Sequence, residues 1–170
     1  GRKNQLVGHI DLGCIWAYGN STVAPWSEQF YIGGANSIRA FTLRSIGPGA
    51  YYPTSSTSSY LDQTGDVKFL ANLEYRPRLF GNLYGAIFLD AGNVWTLHDR
   101  SDHPGGQLKL KNLPQQMALG IGVGLRYNLD FFVIRVDWGI GLHLPYKSGF
   151  YNLPNFGSSH SLHFAIGMPF

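Results

Sequence analysis

The sequence has few charged residues, one cysteine and no long apolar run. Charged residues make up 14% of the 170 positions, and the thirteen basic ones are dispersed, with a net charge of +3. Dispersed cations give little support to nucleic-acid binding, so we expect no nucleic-acid partner. The single cysteine, Cys14, excludes an intramolecular disulfide. Because no apolar run approaches the ~18 residues of a membrane helix, any part that crosses a membrane has to be a β-strand.

What the sequence does contain is glycine, aromatic residues and regular alternation. There are 22 glycines, and aromatic residues make up 15% of the chain. The clearest alternation closes the sequence, where large apolar side chains occupy every second position: Leu162, Phe164, Ile166, Met168 and Phe170. One face of such a strand must leave water, because successive side chains point to opposite faces.

The same alternation predicts five more strands, at 5–18, 66–79, 83–95, 117–129 and 131–144. Opposite their large apolar side chains lie mainly glycine, alanine and a few charged residues, whereas a soluble sandwich carries Lys, Glu and Thr outside. The pattern favours an all-β fold, an antiparallel transmembrane β-barrel whose apolar rows face lipid. Aromatic residues near the strand ends fit the girdles of such a barrel: Trp16, Tyr18, Tyr127 and Phe170. A soluble barrel of the lipocalin type is the alternative.

Two kinds of connection join the predicted strands. Those at 77–82 and 128–130 are tight, and those at 19–65, 96–114 and 145–159 are long. In outer-membrane barrels the short turns face the periplasm, which puts the carboxyl terminus of the chain at the periplasmic side. Six strands are too few to close a barrel, and open edges are costly in lipid. We therefore expect residues 1–170 to be the C-terminal portion of a larger outer-membrane barrel, or else a fragment whose edges pair with another chain.

The first long loop, 19–65, has an unusual middle. Loops of this length are either functional or disordered, and a Ser and Thr run at 55–59 indicates a flexible tip. The middle instead holds residues that favour a fixed turn and burial: Gly33, Gly34, Ile38, Arg39, Ala40 and Phe41. Burial of the apolar residues carries Arg39 inward, where it needs an anion. The polar faces of the next two strands supply Glu74 and Asp90, which can make charge-assisted bonds to it.

Four segments, in order along the chain, resemble the BamA/TamA outer-membrane assembly superfamily. Residues 33–41 with 45–49 resemble its loop-six motif, whose usual core Val-Arg-Gly-Phe stands here as Ile38-Arg39-Ala40-Phe41. Residues 73–76 and 88–95 are similar to its two following strands, and the last strand resembles the β-signal of bacterial outer-membrane proteins. The resemblance covers nearly the whole chain. Ala40 stands where glycine is usual, and its methyl group is expected to tighten the turn or alter its backbone angle.

The resemblance implies the last six strands of a sixteen-stranded barrel, with loop 19–65 folded into the lumen and Arg39 bound to Glu74 and Asp90. It implies a factor that assembles and inserts proteins in the bacterial outer membrane, not an enzyme. The implied partners are outer-membrane lipid, nascent outer-membrane proteins, the remaining N-terminal strands and periplasmic domains. In this family the last strand borders a weak lateral seam, here assigned to Leu162, Phe164, Ile166, Gly167, Met168 and Phe170. Glycine and proline in this strand weaken its pairing, which suits a seam.

Other functions have less support from the residues. A polypeptide-secretion pore of the same superfamily and a passive porin-type channel are the alternatives for a membrane barrel. The six histidines form no metalloprotease pattern, and His160 and His163 are a pair without a third ligand. The polar mixture at 98–103 is typical of an outer loop. We expect no metal and no cofactor.

Overall fold

The computed structural model describes residues 4–53, 63–153 and 159–170. Six strands make up its framework: β1 Asn4–Cys14, β2 Val67–Phe80, β3 Leu83–Trp95, β4 Ala118–Asn128, β5 Val133–His143 and β6 His160–Ile166. A 3-10 turn, Leu110–Asn112, and a short helix, α1 Leu113–Gln116, lie between β3 and β4. No helix within the described ranges is long and apolar enough to cross a membrane. The Ser and Thr run at 55–59, predicted as a flexible tip, lies outside the described residues.

The strands form one antiparallel sheet in the order β1-β2-β3-β4-β5-β6. Each strand pairs with the one that follows it in sequence, so every connection joins neighbours. Two connections are short, at 81–82 and 129–132, and the other three are long. The prediction of an all-β antiparallel fold with six strands is therefore confirmed.

One face of the sheet is bare and apolar, and we call it the exposed face. Its side chains come from the alternating rows of all six strands: Leu6, Ile10, Leu12, Leu73, Tyr75, Ile87, Leu89, Ile121, Val123, Leu125, Val136, Trp138, Leu162, Phe164 and Ile166. Soluble monomers rarely leave such a continuous apolar patch in water. The alternation of large apolar residues fixes this arrangement, because a shift of the strand register by one residue would turn all of these side chains to the other face.

The other side of the sheet, the covered face, packs against the loop between β1 and β2. The core joins loop residues to residues of the sheet and of the connections that follow it: Ile32, Ile38, Ala40, Phe41, Ile46, Leu70, Val94, Ala118 and Leu144. Two bridges fix the loop's course, Phe30 with Gly65 and Ile32 with Ile46. Among the described residues, a loop supplies the packing that a second sheet supplies in a sandwich.

Two predicted strands end earlier than the alternation suggested. The first was expected to reach Tyr18, but β1 ends at Cys14, which lies opposite Val67, the first residue of its partner β2. The last was expected to reach Phe170, but β6 ends at Ile166. Gly167 follows with φ of +97°, a left-handed conformation that turns the chain out of the strand.

The early end of β6 changes the position of Phe170. Its place in the alternating row predicted that it faces lipid, and this is wrong. The Phe170 ring instead stacks on His9 of β1, with 5.2 Å between ring centroids and 8° between planes. The physical reason is the turn at Gly167, after which the period of two no longer decides which face a side chain takes.

Candidate functional site

Arg39 lies at the centre of the covered face and is fully buried. Its Nε and Nη2 donate to the two carboxylate oxygens of Asp90, at 2.9 and 2.8 Å, in a bidentate pair. The Arg39 backbone N–H donates to Asp90 as well, at 3.0 Å, and Nη1 donates to Glu74. The guanidinium also lies over the ring of Phe88, 3.6 Å from its centroid. Arg39 therefore has two carboxylates and an aromatic face as partners.

These partners stabilise the charged form of the guanidinium. Burial alone would lower the pKa of Arg39, because a dry site disfavours the charged form. Hydrogen bonds and charges from Asp90 and Glu74 outweigh that effect and raise the pKa above its ordinary value. An arginine stays protonated in proteins, so the attraction of Arg39 to the sheet persists wherever the two carboxylates stay ionised.

Glu74 connects Arg39 to further charges on the sheet. Its Oε1 accepts from Arg76 Nε at 2.7 Å and from Arg126 Nη2 at 3.1 Å. Arg126 Nη1 lies 2.6 Å from one oxygen of Asp137, and Arg135 Nη1 donates to the other at 2.9 Å. We call the connected set the arginine–carboxylate network: Arg39, Arg76, Arg126, Arg135, Glu74, Asp90 and Asp137.

Side chains of the sheet also bind the backbone of the loop motif. Arg135 Nη1 donates to the Ala35 carbonyl oxygen at 2.8 Å. Asn72 Nδ2 donates to the Ser37 carbonyl oxygen at 2.9 Å and to Asp90 at 2.8 Å. These bonds hold residues 35–37 against β2 and β5, on either side of the buried arginine.

The edge strand β6 contacts the motif directly. His163 Nε2 lies 2.9 Å from the carbonyl oxygen of Arg39, and Ser161 Oγ donates to the carbonyl oxygen of Ala40 at 3.3 Å. Neither residue was predicted to contact the motif. The loop motif is therefore hydrogen-bonded to the last strand as well as to the middle of the sheet.

The predicted glycine pair makes the turn that presents the motif. Gly33 and Gly34 have φ of +101° and +90°, which L side chains rarely adopt. Gly34 N–H donates to the Phe41 carbonyl oxygen at 2.8 Å, and Phe41 N–H donates to the Ile38 carbonyl oxygen at 3.1 Å. This closed turn places Ile38 and Phe41 in the core, and Arg39 between them points to the carboxylates.

Glycines of the sheet leave the space that the motif occupies. A Cβ built on Gly139 would lie 2.6 Å from the Arg39 carbonyl oxygen and 2.8 Å from the Ala40 nitrogen. A Cβ on Gly120 would collide with the Ala40 methyl group. The alanine that departs from the family pattern thus packs against a glycine on the sheet, and its φ is not left-handed.

The structure separates the residues predicted for the last strand into two groups. Leu162, Phe164 and Ile166 lie on the exposed face. Gly167, Met168 and Phe170 lie beyond the end of β6. The Phe170 ring centroid is 5.6 Å from the Cζ atoms of both Arg39 and Arg76, so this side chain belongs to the covered face.

Arg39 was predicted to bind Glu74 and Asp90, and in the structure it contacts both carboxylates. The other members of the network were not predicted: Arg76, Arg126, Arg135 and Asp137. A signal was present, because charges that alternate with glycine on a predicted polar face have to meet one another once that face is covered. Register between strands, which pairs Arg126 with Arg135, was needed to see which charges meet.

An antiparallel sheet with a bare apolar face and a charged, covered inner face defines the wall of a membrane β-barrel. The chain belongs to the Omp85 superfamily, whose domain matches residues 1–170. The predicted resemblance to the BamA/TamA superfamily of outer-membrane assembly barrels is therefore confirmed.

Relatives and solved structures agree with this assignment. Sorting and assembly machinery component 50 homolog A of Xenopus laevis is 32% identical over 103 residues, 59% of this chain and 21% of that protein. The human homolog is 29% identical over 102 residues, 58% of this chain and 21% of that protein. BamA from Haemophilus ducreyi superposes with a TM-score of 0.61 at 19% identity, over 96% of this chain and 32% of that one. The chain thus has the BamA barrel fold and spans about a fifth of these curated relatives.

Proposed function

We propose that this chain is the C-terminal part of a sixteen-stranded barrel that assembles and inserts other β-barrel proteins in the bacterial outer membrane. The observation that carries the proposal is Arg39, whose guanidinium is buried between Asp90 and Glu74 and holds the loop motif on the covered face. The Omp85 domain over residues 1–170 supports the same function. The proposal includes no enzymatic activity.

The loop between β1 and β2 occupies the barrel lumen in this proposal. Within the described sheet, β1 and β6 each have one neighbouring strand. Unpaired backbone groups cost several kcal/mol each in hydrocarbon, so the remaining N-terminal strands have to pair with these two edges. Closing the barrel with the exposed face toward lipid puts the covered face, and the loop bound to it, inside.

The edge strand β6 forms one side of a lateral seam. It is the shortest strand of the described sheet, and the left-handed Gly167 ends its pairing early. A short, easily opened edge can accept an incoming strand by β-augmentation. The partners are then nascent outer-membrane proteins at the seam, lipid on the exposed face and periplasmic domains at the short-turn side, where the carboxyl terminus lies.

A crosslink tests the seam in the complete protein. After Cys14→Ser removes the native thiol, Phe164→Cys in β6 is paired with a cysteine in the first strand of the barrel. Oxidation should reduce the assembly of an added barrel protein into liposomes to background, because the edge can no longer open, and reduction should restore it.

The matched control crosslinks two strands that already pair. Val136→Cys with Phe164→Cys joins β5 to β6, whose residues 136 and 164 are partners in the sheet. This crosslink should leave assembly unchanged. Equal assembly by the oxidised and reduced seam variant would contradict a seam at β6.

The two alternatives make different demands on the same protein. A passive porin needs an open lumen, so a large steady ion conductance in planar bilayers would favour it. A secretion pore of the superfamily would pass an unfolded polypeptide into liposomes without inserting it. The buried loop and its network favour assembly over the porin, since they fill the space that a channel leaves open.

A further inference from the structure

Three long connections meet at one end of the sheet and border a cleft of about 650 Å³. Its walls come from α1 and the turn before it, from the segment 145–150 after β5, and from Ala50 in the loop between β1 and β2. A volume of this size is within the range that small molecules occupy in proteins. No described lining residue belongs to the arginine–carboxylate network, so the cleft is separate from the site around Arg39.

Hydrogen bonds within the chain hold the walls of the cleft. Asn152 accepts from the Leu144 N–H at 2.8 Å and donates to the carbonyl oxygens of Leu144 and Lys147, at 3.0 and 2.9 Å. On the wall formed by α1, Gln116 Oε1 accepts from Trp95 Nε1 at 2.8 Å. The cleft is therefore preformed, and a ligand has little chain to order when it binds.

His143, the last residue of β5, lines the cleft and is 7% exposed. Its Nδ1 lies 2.8 Å from the carbonyl oxygen of Met117. A carbonyl oxygen can only accept, so Nδ1 has to carry the hydrogen, and Nε2 of the neutral ring is then an acceptor. Nε2 makes no hydrogen bond within the described residues, and it is not one of their sealed polar atoms. The ring therefore presents one acceptor of fixed direction to a ligand.

The other lining residues limit the chemistry of that ligand. Polar side chains alternate around the cleft with apolar ones: Asn112, Gln115 and Ser148 with Pro114, Pro145 and Phe150. None of the described lining residues is acidic, which disfavours a divalent cation or an amine. Lys147 is the one permanent cation among them, too few for a polyphosphate, and the polar groups disfavour an acyl chain. A neutral molecule with several hydroxyl groups and apolar ring faces satisfies all of these groups.

We propose that this cleft binds a neutral sugar, with His143 Nε2 accepting from a sugar hydroxyl and the Phe150 ring packing on a face of the sugar. The Phe150 side chain is 74% exposed, and the electron-rich face of an aromatic ring suits the polarised C–H groups of a sugar. The amides of Asn112 and Gln115 both donate and accept, so they can pair with neighbouring hydroxyls. The long connections face outward in the proposed barrel, so the sugar belongs to a free saccharide or to a glycolipid headgroup; only this position rests on the proposed function.

Saturation-transfer difference NMR tests the site on the complete protein, in micelles of a detergent without a sugar group. The probes are D-glucose, D-galactose, D-mannose and N-acetyl-D-glucosamine, and at least one should give a saturable signal that cyclohexanol does not displace. His143→Phe should weaken the binding of that sugar roughly tenfold, because the acceptor is lost. His98→Phe, at an exposed histidine that does not line the cleft, should leave the binding unchanged.

A second pair of variants covers the case in which His143→Phe fails to fold. Phe150→Ala removes an exposed ring at the cleft and should weaken the binding of the same sugar severalfold. Phe131→Ala removes an exposed ring from the short connection at the other end of β5 and should have no effect. Equal binding by the two variants, displacement by cyclohexanol, or no saturable signal from any of the four sugars would overturn the proposal.

Two glycosides identify the source of the sugar. The methyl and the dodecyl glycoside of the sugar that binds are compared as competitors, with Phe150→Ala as the control for partitioning into micelles. Tighter competition by the dodecyl form that is lost in Phe150→Ala supports a glycolipid headgroup, and equal competition by both supports a free saccharide. Competition by neither would contradict recognition of a sugar. The seam crosslink measures assembly and this titration measures binding, so either one can fail alone.

Discussion

At Arg39, the stabilising contribution of the charge depends entirely on its partners. Asp90 takes two side-chain donors and one backbone donor, and Glu74 takes a third side-chain donor. A buried ion pair of this kind contributes little over an apolar equivalent, but removing one member leaves the other charge uncompensated. Removing Arg39 is therefore expected to cost more stability than the ion pair itself contributes.

Arg39→Ala should loosen the loop from the covered face. Glu74 and Asp90 lose their shared partner, and breaking a buried pair costs roughly 3–5 kcal/mol. Limited proteolysis should cut the loop of the variant faster than that of the unmodified protein.

Arg44→Ala is the control for a loop arginine outside the network. Arg44 packs over the rings of Trp26 and Tyr31, at 4.8 and 4.4 Å from their centroids, and has no resolved carboxylate partner within the described residues. Cleavage should change little in this variant. If Arg39→Ala resisted protease as well as the unmodified protein does, the loop would not depend on Arg39.

The contact between Ala40 and Gly120 predicts a non-additive pair of substitutions. Gly120→Ala should destabilise the protein by roughly 1–3 kcal/mol, the usual cost of overpacking, because its methyl group would collide with that of Ala40. In an Ala40→Gly background the remaining neighbours of that methyl group lie at 3.4 Å or more, so the cost should largely disappear. Denaturant unfolding of the two single variants and the double variant measures the coupling. Additive costs would show that the two methyl groups do not meet.

At the scale of elements, the end of β6 is decided by one backbone angle. Gly167 N–H makes a last bond to the Val133 carbonyl oxygen, at 2.7 Å, and its φ of +97° then directs Met168 and Phe170 out of the sheet. The strand edge and the aromatic tail are thus separate elements, one on the lipid side and one against the network.

Gly167→Ala should release the tail from the covered face. A left-handed conformation costs an L residue about 1–2 kcal/mol, so the variant favours a continued strand. The ¹⁹F signal of a fluorophenylalanine at position 170 should then move, because the ring leaves His9 and the arginines. Gly8→Ala in β1 adds a methyl group in open space and should leave the signal in place. An unchanged signal in Gly167→Ala would mean that the tail does not depend on that angle.

The sequence predicted which face each strand buries better than where each strand ends. The alternating pattern predicted that Ile121, Val123 and Leu125 share the exposed face. In a strand the side chains alternate between the two faces, so burying one face fixes which residues lie on the other. The end of β1 depended on where its partner begins, and the end of β6 on a glycine angle, neither of which alternation contains. The contact of Arg39 with two carboxylates was predictable because a motif named the arginine, whereas Arg126 and Asp137 required the strand register.

At the scale of the whole molecule, the exposed face and the two open edges need different environments. Apolar side chains cover the face, and unpaired backbone groups line β1 and β6. Lipid can surround the apolar face, and further strands can hydrogen-bond the backbone groups of the two edges. The loop core packs on the covered face, and in the proposed barrel this core would occupy the interior.

Ile121→Arg should impair insertion into lipid vesicles. Ile121 is in the middle of the exposed face, where an arginine at the bilayer midplane costs about 2–4 kcal/mol. Unfolding from vesicles, followed by the mobility shift of the folded barrel on gels, measures the difference. Leu110→Arg, at an exposed position in the connection before β4, should have no such effect. Equal stability of the two variants would contradict a lipid-facing role for the exposed face.

The hydrogen bonds from β6 to the loop end on main-chain oxygens, at Arg39 and Ala40. Every amino acid has a main-chain carbonyl oxygen, so a substitution at either loop position leaves the hydrogen-bond acceptor in place. Within the described residues, Ser161 and His163 make these bonds from β6, so we expect substitutions at these two positions to weaken the link between the edge strand and the loop.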